Sequence, residues 1–298
     1  MDTQLLEAFV AVADSGSFST AAERVHVTQP AISKRIAQLE DVLGCRLFDR
    51  ISRTVYLTEA GKELLPRAEK ILQELRETRQ AIVDLSGHVA GNLRIAISHH
   101  LGLHRLPPVL KAFASTNSGV SLEVEFMDSE VAYDGVLRGR FEIAVITLAP
   151  EPHPRIHSLQ VWLDPMAVMV ASDHPLATAG TVDIDQLSDY PAILPGLETY
   201  TGRMIKKLFD DNGFTLKATM ATNYLETIKM LVSVGLGWSI LPTIMADTTL
   251  ARLACPSIEL SRHLGLIHHR EKTLSNAARA FIDLLLAHSD AGRDSAEA

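Results

Sequence analysis

Cysteine is scarce in this sequence. The 298 residues include only Cys45 and Cys255, which lie far apart and match neither a CxxC pair nor the Cys/His spacing of a zinc finger. A disulfide framework or a structural zinc site needs several closely spaced ligands, so we expect neither. A redox switch normally places a reactive thiol beside a resolving partner. We therefore expect both cysteines to be packing residues.

Long apolar runs are also lacking. No stretch approaches the roughly 18 uninterrupted apolar residues that a membrane-spanning helix requires. The N-terminal segment carries Asp2, Glu7 and Asp14 and has no basic leader, so we expect no signal peptide. These observations predict a soluble, cytoplasmic protein.

Positive charge is in short supply. The 36 Asp and Glu residues outnumber the 28 Lys and Arg residues, for a formal net charge of −8. The whole molecule therefore has no general attraction to polyanions, and any contact with nucleic acid must come from a local basic patch. The length, and a hydrophobic content of 47%, suffice for about two domains with sizeable cores.

Apolar residues at helical spacing predict three short helices within the first sixty residues. The first ends at Ser15-Gly16, the second begins at Ser17, and the third runs from Thr28, as a possible N-cap, to Gly44. Pro30 lies in the first turn of the third helix, where its missing N–H costs nothing. Two short helices, a turn and a third helix form a helix-turn-helix.

The exposed face of the third helix carries side chains that can contact DNA. Gln29 can pair with an adenine edge, Ser33 with several bases, and Lys34 and Arg35 with guanine or phosphates. From residue 24 to residue 53, six Lys or Arg residues stand against three Asp or Glu residues, an excess of +3. Such a local excess is the electrostatic footprint of DNA binding. A solvated three-helix bundle is the alternative that the helical pattern alone leaves open.

Residues 45–58 predict a short hairpin with a basic tip. β-Branched and aromatic residues flank the segment from Arg50 to Arg53. The hairpin would form a wing that reaches the DNA backbone or the minor groove.

The segment LLEAFVAVADSGSFSTAAERVHVTQPAISKRIAQLEDVLGCRLFDRISRTVYLTEAG, residues 5–61, resembles the N-terminal signature of the LysR family of bacterial transcriptional regulators from end to end. The resemblance implies base contacts from the third helix, phosphate contacts from the start of the second helix, and a wing contact through Arg53. The expected DNA-binding residues are Ser17, Ser19, Thr20, Thr28, Gln29, Pro30, Ser33, Lys34, Arg35, Arg50 and Arg53.

Residues 58–85 predict one long helix with an apolar stripe. The stripe recurs every three or four residues and consists of Leu64, Leu65, Ala68, Ile71, Leu72, Leu75, Ile82 and Leu85. Such a helix spans about 40 Å, too long to be buried against the small domain alone. It could pack on the chain's own second domain or pair with a second protomer. The resemblance implies pairing, and a dimer of dimers (a homotetramer) on DNA.

From residue 93 onward, short apolar strands alternate with helices. The expected strands are LRIAIS (93–98), VSLEVEF (120–126), FEIAVIT (141–147), those within SLQVWLDPMAVMVAS (158–172), AILPG (192–196), KATMAT (217–222), WSILP (238–242) and LGLIHHR (264–270). Helices are expected near 103–115, across 130–138, from about 201, around 225–233 and, closing the domain, at 274–287. The pattern predicts two α/β lobes joined by crossing strands, and it resembles the LysR effector domain, which has the type 2 periplasmic-binding fold.

The fold class is expected to be α/β, with an N-terminal all-α winged helix-turn-helix, a long linker helix and a two-lobed α/β effector domain. The expected divisions are 1–60 for the DNA-binding domain, 61–90 for the linker helix and hinge, 91–290 for the effector domain, and 291–298 for a disordered tail. Within the effector domain, lobe I would cover about 93–162 and 267–288, and lobe II about 163–266.

Candidate effector-binding residues lie where strands end and helices begin, because ligands of open α/β sheets bind there, often against helix N-termini. Their hydroxyls and backbone N–H groups would suit a small anion, although ordinary capping is the alternative for each. The candidates are Ser98, His99, His100, Ser129, Thr147, Gly196, Thr199, Thr201 and Asn223.

Three histidines in HHLGLH raise the possibility of a metal site. His100 and His104 have the i,i+4 spacing that suits a metal on one helical face, but no HExxH motif or paired carboxylate completes a set, and His100 could precede the helix. We therefore expect no metal, no cofactor and no catalytic residues.

The sequence thus predicts a sequence-specific transcriptional regulator, not an enzyme. Its expected partners are a promoter dyad in double-stranded DNA, a small-molecule and anionic effector that controls it allosterically, and further copies of itself, with no membrane. A solute-binding protein and an enzyme with its active site in the cleft are the alternatives; the DNA-reading N-terminus and the missing catalytic set argue against them.

Overall fold

The computed structural model describes residues 2–51, 54–85, 87–214, 216 and 218–290. The chain forms two compact units, Met1–Ser86 and Gly87–Ala298. Ser86 of the expected hinge and the tail 291–298 lie outside the described residues.

The first unit contains four helices and a hairpin in its described part. In chain order these are α1 (Thr3–Ser15), α2 (Phe18–Arg24), α3 (Gln29–Leu43), β1 (Phe48–Ile51), β2 (Thr54–Leu57) and α4 (Glu59–Asp84). The side chains of Asp2, Ser17 and Thr58 accept hydrogen bonds at the N-termini of α1, α2 and α4. Gly16 and Gly44 end α1 and α3 in the left-handed conformation that glycine adopts without strain.

The core of this unit joins the helices to the hairpin. The ring of Phe48 lies 5.3 Å from that of Phe9 on α1 and 6.0 Å from that of Phe18 on α2. Glu40 near the end of α3 accepts a hydrogen bond from the backbone N–H of Leu47, at 2.7 Å. Its carboxylate thereby fixes the chain entering the hairpin.

Helix α4 begins with a close approach to the hairpin. A Cβ atom on Gly61 would lie 2.3 Å from the carbonyl oxygen of Leu47, so only glycine fits there without displacing the backbone. Further along, Ala68 and Leu72 are buried in the core of the unit. Pro66 lies inside α4, which continues past it.

The apolar stripe of α4 divides into two parts. Its N-terminal members pack on the helix-turn-helix core. Its C-terminal members are exposed in the single chain, namely Ile71, Leu75, Ile82 and Leu85. The small domain therefore does not cover the whole stripe. Among the residues that the structure describes, no helix combines the length and the apolar run needed to cross a lipid bilayer.

The second unit is a two-lobed α/β structure. Lobe I is built from β3 (Gly91–Ser98), α5 (His99–His104), α6 (Pro107–Thr116), β4 (Val120–Met127), α7 (Ser129–Leu137), β5 (Ile143–Thr147) and the first half of β6 (Ile156–Ala171). Lobe II continues with the rest of β6, then α8 (Ile184–Ser188), β7 (Ala192–Leu194), α9 (Tyr200–Asp211), β8 (Ala218–Ala221), α10 (Leu225–Ser233), β9 (Ser239–Pro242) and β10 (Leu250–Leu253). Strand β11 (Leu260–His269) returns to lobe I, where α11 (Asn276–Ala287) closes it.

Two long antiparallel strands, β6 and β11, connect the lobes. The sheet order is β10-β6-β11-β5-β3-β4, with β9 also paired to β6, and β7 pairs with β8. Strand β3 is parallel to both β4 and β5. The parallel strands direct their carboxyl ends, and the helix N-termini that follow them, to one edge of lobe I.

Each lobe buries apolar residues on both faces of its sheet. In lobe I, Phe113 and Phe281 pack their rings 5.2 Å apart on one face, and Phe141 is buried on the other. In lobe II, Phe209 stacks on Trp238 at 5.7 Å, and Ile228 lies in the core of the opposite face. These cores confirm the predicted α/β class with two lobes.

The structure differs from the sequence expectations at several elements. The helix expected near 103–115 is two helices, because the Pro107-Pro108 pair cannot continue α5. Helix α5 starts at His99, so His100 is helical. Helix α8 and strand β10 were not expected, since five and four residues are too few for a periodic signal. Leu264 and Leu266, grouped with lobe II on sequence grounds, pack in the core of lobe I.

Candidate DNA-binding surface and interlobe cleft

The candidate base-reading side chains lie at the N-terminal end of α3. Gln29, Pro30 and Lys34 are exposed. Gln29 donates a hydrogen bond from Nε2 to the Ser33 hydroxyl at 3.2 Å, so these two polar groups form one patch. Thr28 occupies the N-cap position, but its side chain makes no capping hydrogen bond. Thr28 is therefore the N-cap residue that the sequence indicated, without a side-chain cap.

Arg35 lies on a different side of α3 from this patch. At 3.6 residues per turn, residues 33 and 35 point in nearly opposite directions. The Arg35 guanidinium donates to Gln4 of α1 at 3.0 Å, and its side chain is half-buried. The single exposed face that we expected for residues 29–35 therefore excludes Arg35.

The start of α2 provides a second group of candidate contacts. Ser17 accepts from the backbone N–H of Thr20 at 3.4 Å, and Ser19 and Thr20 are exposed. Backbone N–H groups at a helix start, together with neighbouring hydroxyls, are donors of the kind that bind phosphate.

The hairpin pairs from Phe48 opposite Leu57 to Ile51 opposite Thr54. This agrees with the wing predicted by the sequence. Arg53 and the side chain of Arg50 lie outside the described residues.

Eight of the nine candidate effector residues line one cleft in the second unit. They are Ser98, His99, His100, Ser129, Thr147, Thr199, Thr201 and Asn223. Gly196 is next to the cleft, where its N–H donates to the Asn223 side chain at 3.1 Å and its carbonyl accepts from Thr199 at 2.7 Å. Strand ends from both lobes therefore converge as the sequence pattern predicts.

The cleft is closed by hydrogen bonds between the lobes. Asn223 of lobe II donates to Asp128 of lobe I at 2.7 Å. The backbone N–H of Tyr200, at the start of α9, donates to the Glu130 carboxylate. The remaining cavity measures about 60 Å³, far below the ~300–1,000 Å³ of common ligand sites. Only a very small molecule fits unless the lobes separate.

A buried cation lies among the cleft-lining residues. Arg262 of β11 pairs with Asp164 of β6 through Nη2 and Oδ2 at 2.5 Å, and it donates to the Thr201 hydroxyl at 3.2 Å. Arg262 and Asp164 are almost fully buried, at 3% and 1% exposure. The guanidinium is thus held in place by contacts with both the connecting strand and α9.

The cleft shifts the pKa values of two of its side chains. Burial raises the pKa of the Tyr200 hydroxyl to about 12, and the nearby Glu130 carboxylate acts in the same direction. Burial lowers the pKa of His100, which favours its neutral imidazole. The cleft therefore combines the neutral Tyr200 hydroxyl and His100 imidazole with the Asp128 and Glu130 carboxylates and the Arg262–Asp164 pair.

The sequence interpretation did not include Arg262, Asp164, Asp128 or Glu130. A signal was present for the first two, because each is a lone charged residue within an apolar strand, in LSRHLGLI and VWLDPMAV. Charged residues are almost never fully buried unless paired. No comparable signal marks Asp128 and Glu130, which follow the end of β4 in an ordinary helix-capping context.

The two units together define a class of protein. One chain combines a helix-turn-helix and hairpin with a two-lobed α/β unit whose cleft is lined by polar side chains, the architecture of ligand-responsive DNA-binding proteins.

Comparison with known families identifies the family. Residues 3–62 match the model of the bacterial regulatory helix-turn-helix protein, lysR family. Residues 86–290 match the model of the LysR substrate binding domain. The chain belongs to the LysR family of transcriptional regulators, which confirms the resemblance, and it is a DNA-binding regulator with an effector-binding domain. The family consists of regulators, not enzymes.

Curated relatives align along nearly the whole chain. The HTH-type transcriptional activator CmpR of Synechocystis is 29% identical over 96% of this chain and 95% of its own length. A RuBisCO operon transcriptional regulator of Acidithiobacillus ferrooxidans is 30% identical over 97% of this chain and 94% of its own.

Solved structures share the fold. Full-length CbnR in complex with its target DNA superposes with a TM-score of 0.70 at 22% identity, covering 97% of this chain and 100% of that one. The effector-binding domain of QuiR in complex with shikimate has a TM-score of 0.61 at 21% identity, covering 68% of this chain and 98% of that one.

Proposed function

We propose that this regulator is controlled by a small anionic effector, a carboxylate, that binds in the cleft between the lobes. The observation that carries the proposal is the N-terminus of α9, where the Tyr200 N–H already holds a carboxylate, that of Glu130, in a cleft that the paired Arg262 guanidinium also lines. Backbone N–H groups at a helix N-terminus, with a guanidinium nearby, favour a negatively charged ligand.

The protein's own Glu130 supports the choice of a carboxylate. Its side chain accepts from the backbone N–H of Tyr200 at the start of α9, so this position already holds a carboxylate when the cleft is closed. An effector carboxylate would take the place of Glu130 there, with Thr201 and Asn223 nearby to accept or donate hydrogen bonds. QuiR offers a parallel, since its effector domain is in complex with shikimate, a small carboxylate.

Because the cavity is small, binding has to be coupled to movement of the lobes. Displacement of Glu130 would break one contact between the lobes, and a ligand larger than a few atoms would also separate Asn223 from Asp128. A ligand can shift the balance between two states only if its affinity differs between them. The ligand-bound state lacks these contacts, so the affinity for the ligand differs between the two states. This difference would give the effector allosteric control of DNA binding in the cytoplasm.

For the DNA-binding unit, we infer that all eleven candidate residues contact a promoter dyad. Gln29, Ser33 and Lys34 would read bases in the major groove, whereas Arg35 and the hydroxyls of α2 would contact the backbone. The exposed C-terminal stripe of α4 would pair with a second protomer, and two dimers would form the tetramer. Two recognition helices would then meet half-sites about 34 Å apart.

Calorimetric titration of the full chain tests the effector class. The panel consists of small carboxylates, each matched with its neutral amide, in buffer containing a metal chelator. We expect one carboxylate to bind and its amide to bind at least about 10-fold more weakly, because a charge-assisted hydrogen bond is lost. Equal binding of acid and amide, or no binding by any acid at millimolar concentration, would contradict an anionic effector.

A further inference from the structure

Three metal-binding side chains meet beside the cleft. His100 and His104 extend from α5 of lobe I, and Glu226 extends from α10 of lobe II. One potential ligand atom from each lies within 4.8 Å of the other two. His104 Nε2 is 3.0 Å from Glu226 Oε1, and His100 Nδ1 is 3.7 Å from the same oxygen. The carboxylate that the sequence pattern did not indicate is that of Glu226, which comes from lobe II.

His100 is the least satisfied member of this group. It is buried, at 6% exposure, and neither of its ring nitrogens has a hydrogen-bond partner among the residues that the structure describes. A buried polar group without a partner destabilises the fold, because its hydrogen bonds to water are lost and not replaced. A bound ion would supply the missing partner.

The donor set suits a cation. Imidazole nitrogens and a carboxylate oxygen are lone-pair donors that bind divalent transition metals. The nearby Arg262 guanidinium is paired with Asp164.

We propose that His100, His104 and Glu226 form a binding site for a divalent transition-metal ion, with Zn²⁺ as the best match, that joins lobe I to lobe II. Two imidazole nitrogens and one carboxylate oxygen form a common three-residue zinc set, which leaves the fourth position to water or a ligand. Imidazole favours Zn²⁺, Cu²⁺ and Ni²⁺ over Mg²⁺ and Ca²⁺, which prefer oxygen.

The geometry requires only a small adjustment. Ligand atoms on a tetrahedral zinc ion at about 2.05 Å are about 3.3 Å apart, close to the 3.0 Å and 3.7 Å already present between each histidine and Glu226. The two rings lie on one face of α5 with centroids 4.7 Å apart. All three ligand atoms already lie within 4.8 Å of one another, so small side-chain shifts would bring them to a common ion.

A metal at this position would hold the closed arrangement of the lobes, because its ligands come from both. This inference goes beyond the anionic effector and does not depend on it: of the three proposed ligands only His100 lines the cleft cavity. The metal would therefore act, like the effector, on the opening and closing of the two lobes.

Zinc binding to the full-length chain tests the site. Titration with Zn²⁺ alone, against a chromophoric chelator, is carried out on the wild type, His104→Ala, Glu226→Gln and a control, His263→Gln, whose side chain is exposed on β11. We expect one zinc ion per chain in the wild type and the control, and binding at least ~10-fold weaker in both site variants. Thermal melting should show a zinc-dependent rise in Tm for the wild type and the control only.

Melting curves without metal verify that each variant is folded. Unchanged zinc affinity in His104→Ala and Glu226→Gln, or no zinc binding by the wild type, overturns the proposal. Because this titration contains no carboxylate, and the effector titration contains a chelator, failure of either proposal is distinguishable from failure of the other.

Discussion

Arg262 and Asp164 face each other across the two strands that connect the lobes, and they form a buried ion pair. They are direct partners in the antiparallel register of β11 and β6, with Nη2 and Oδ2 2.5 Å apart. The second carboxylate oxygen lies 3.8 Å from the Arg105 guanidinium of lobe I. The pair therefore holds a cation at the point where the chain passes from one lobe to the other.

The substitution Asp164→Asn should strongly destabilise the second unit. It leaves the Arg262 charge buried without a counter-ion, and breaking a buried pair in this way costs about 3–5 kcal/mol. Urea unfolding followed by tryptophan fluorescence measures the effect, because Trp162 and Trp238 both belong to this unit.

The matched control for this variant is Asp210→Asn, which removes one side of the exposed Lys206–Asp210 pair on α9. Exposed pairs contribute little, so its unfolding midpoint should stay at the wild-type value. Equal midpoints for both variants would mean that the buried pair does not hold the unit together.

Glu130→Gln should increase the affinity for an anionic effector. Glu130 occupies the N-terminus of α9 through the Tyr200 N–H, and a neutral amide competes less well for that position. A charge at a helix N-terminus is worth about 0.5–2 kcal/mol, which corresponds to about 2- to 30-fold in affinity. Calorimetry with the selected carboxylate measures the change; weaker binding would indicate that Glu130 contacts the ligand instead.

Acidic pH should destabilise the second unit partly through His268. Burial is the main cause of its lowered pKa; the hydrogen bond to the His269 carbonyl raises the pKa, and the charges of His157, Arg270 and His269 lower it. The unfolded chain therefore takes up the proton first. The contribution of His268 to stability is complete above about pH 6.5, the pKa of this residue in the unfolded chain. It is lost as the pH falls from there through the lower pKa of His268 in the folded protein.

The variant His268→Gln isolates this contribution. Unfolding free energies of the wild type and the variant are compared at several values between pH 7.5 and pH 5 by the same fluorescence assay. The wild type should lose more stability than the variant over this range. Parallel curves would show that His268 does not contribute to the pH dependence.

Base reading and backbone contact should respond differently to substitution. Gln29→Ala should weaken binding to the cognate site by about 1–3 kcal/mol and leave random DNA almost unaffected, because it removes a base contact. Arg53→Ala should weaken both and reduce the salt dependence. Fluorescence anisotropy at several salt concentrations measures this, with Lys207→Ala as the control on the exposed surface of α9. Equal losses on both DNAs for Gln29→Ala would contradict its role.

Much of the architecture was predictable because its signals are local. The caps at Ser17 and Thr58 and the terminating glycines delimit the helices of the first unit. In the second unit, strand ends followed by helix starts indicated the cleft, since parallel strands bring their carboxyl ends together. Eight of the nine candidate residues line it for that reason.

The unpredicted features depend on contacts between distant segments. Glu226 lies 122 positions after His104, and Asp164 lies 98 positions before Arg262. No spacing rule relates such residues, because their proximity follows from the closure of the two lobes. The break between α5 and α6 was missed for another reason: the apolar spacing continues across Pro107 although the backbone cannot.

The central claim is that a ligand in the cleft changes how the protein binds its own DNA target. Footprinting of the full-length protein on the intergenic DNA upstream of its gene, with and without the carboxylate selected by calorimetry, tests it most directly. We predict a dyad-symmetric footprint that shortens or shifts when this compound is added. A footprint that stays identical, at concentrations where calorimetry shows the cleft to be occupied, would contradict the account.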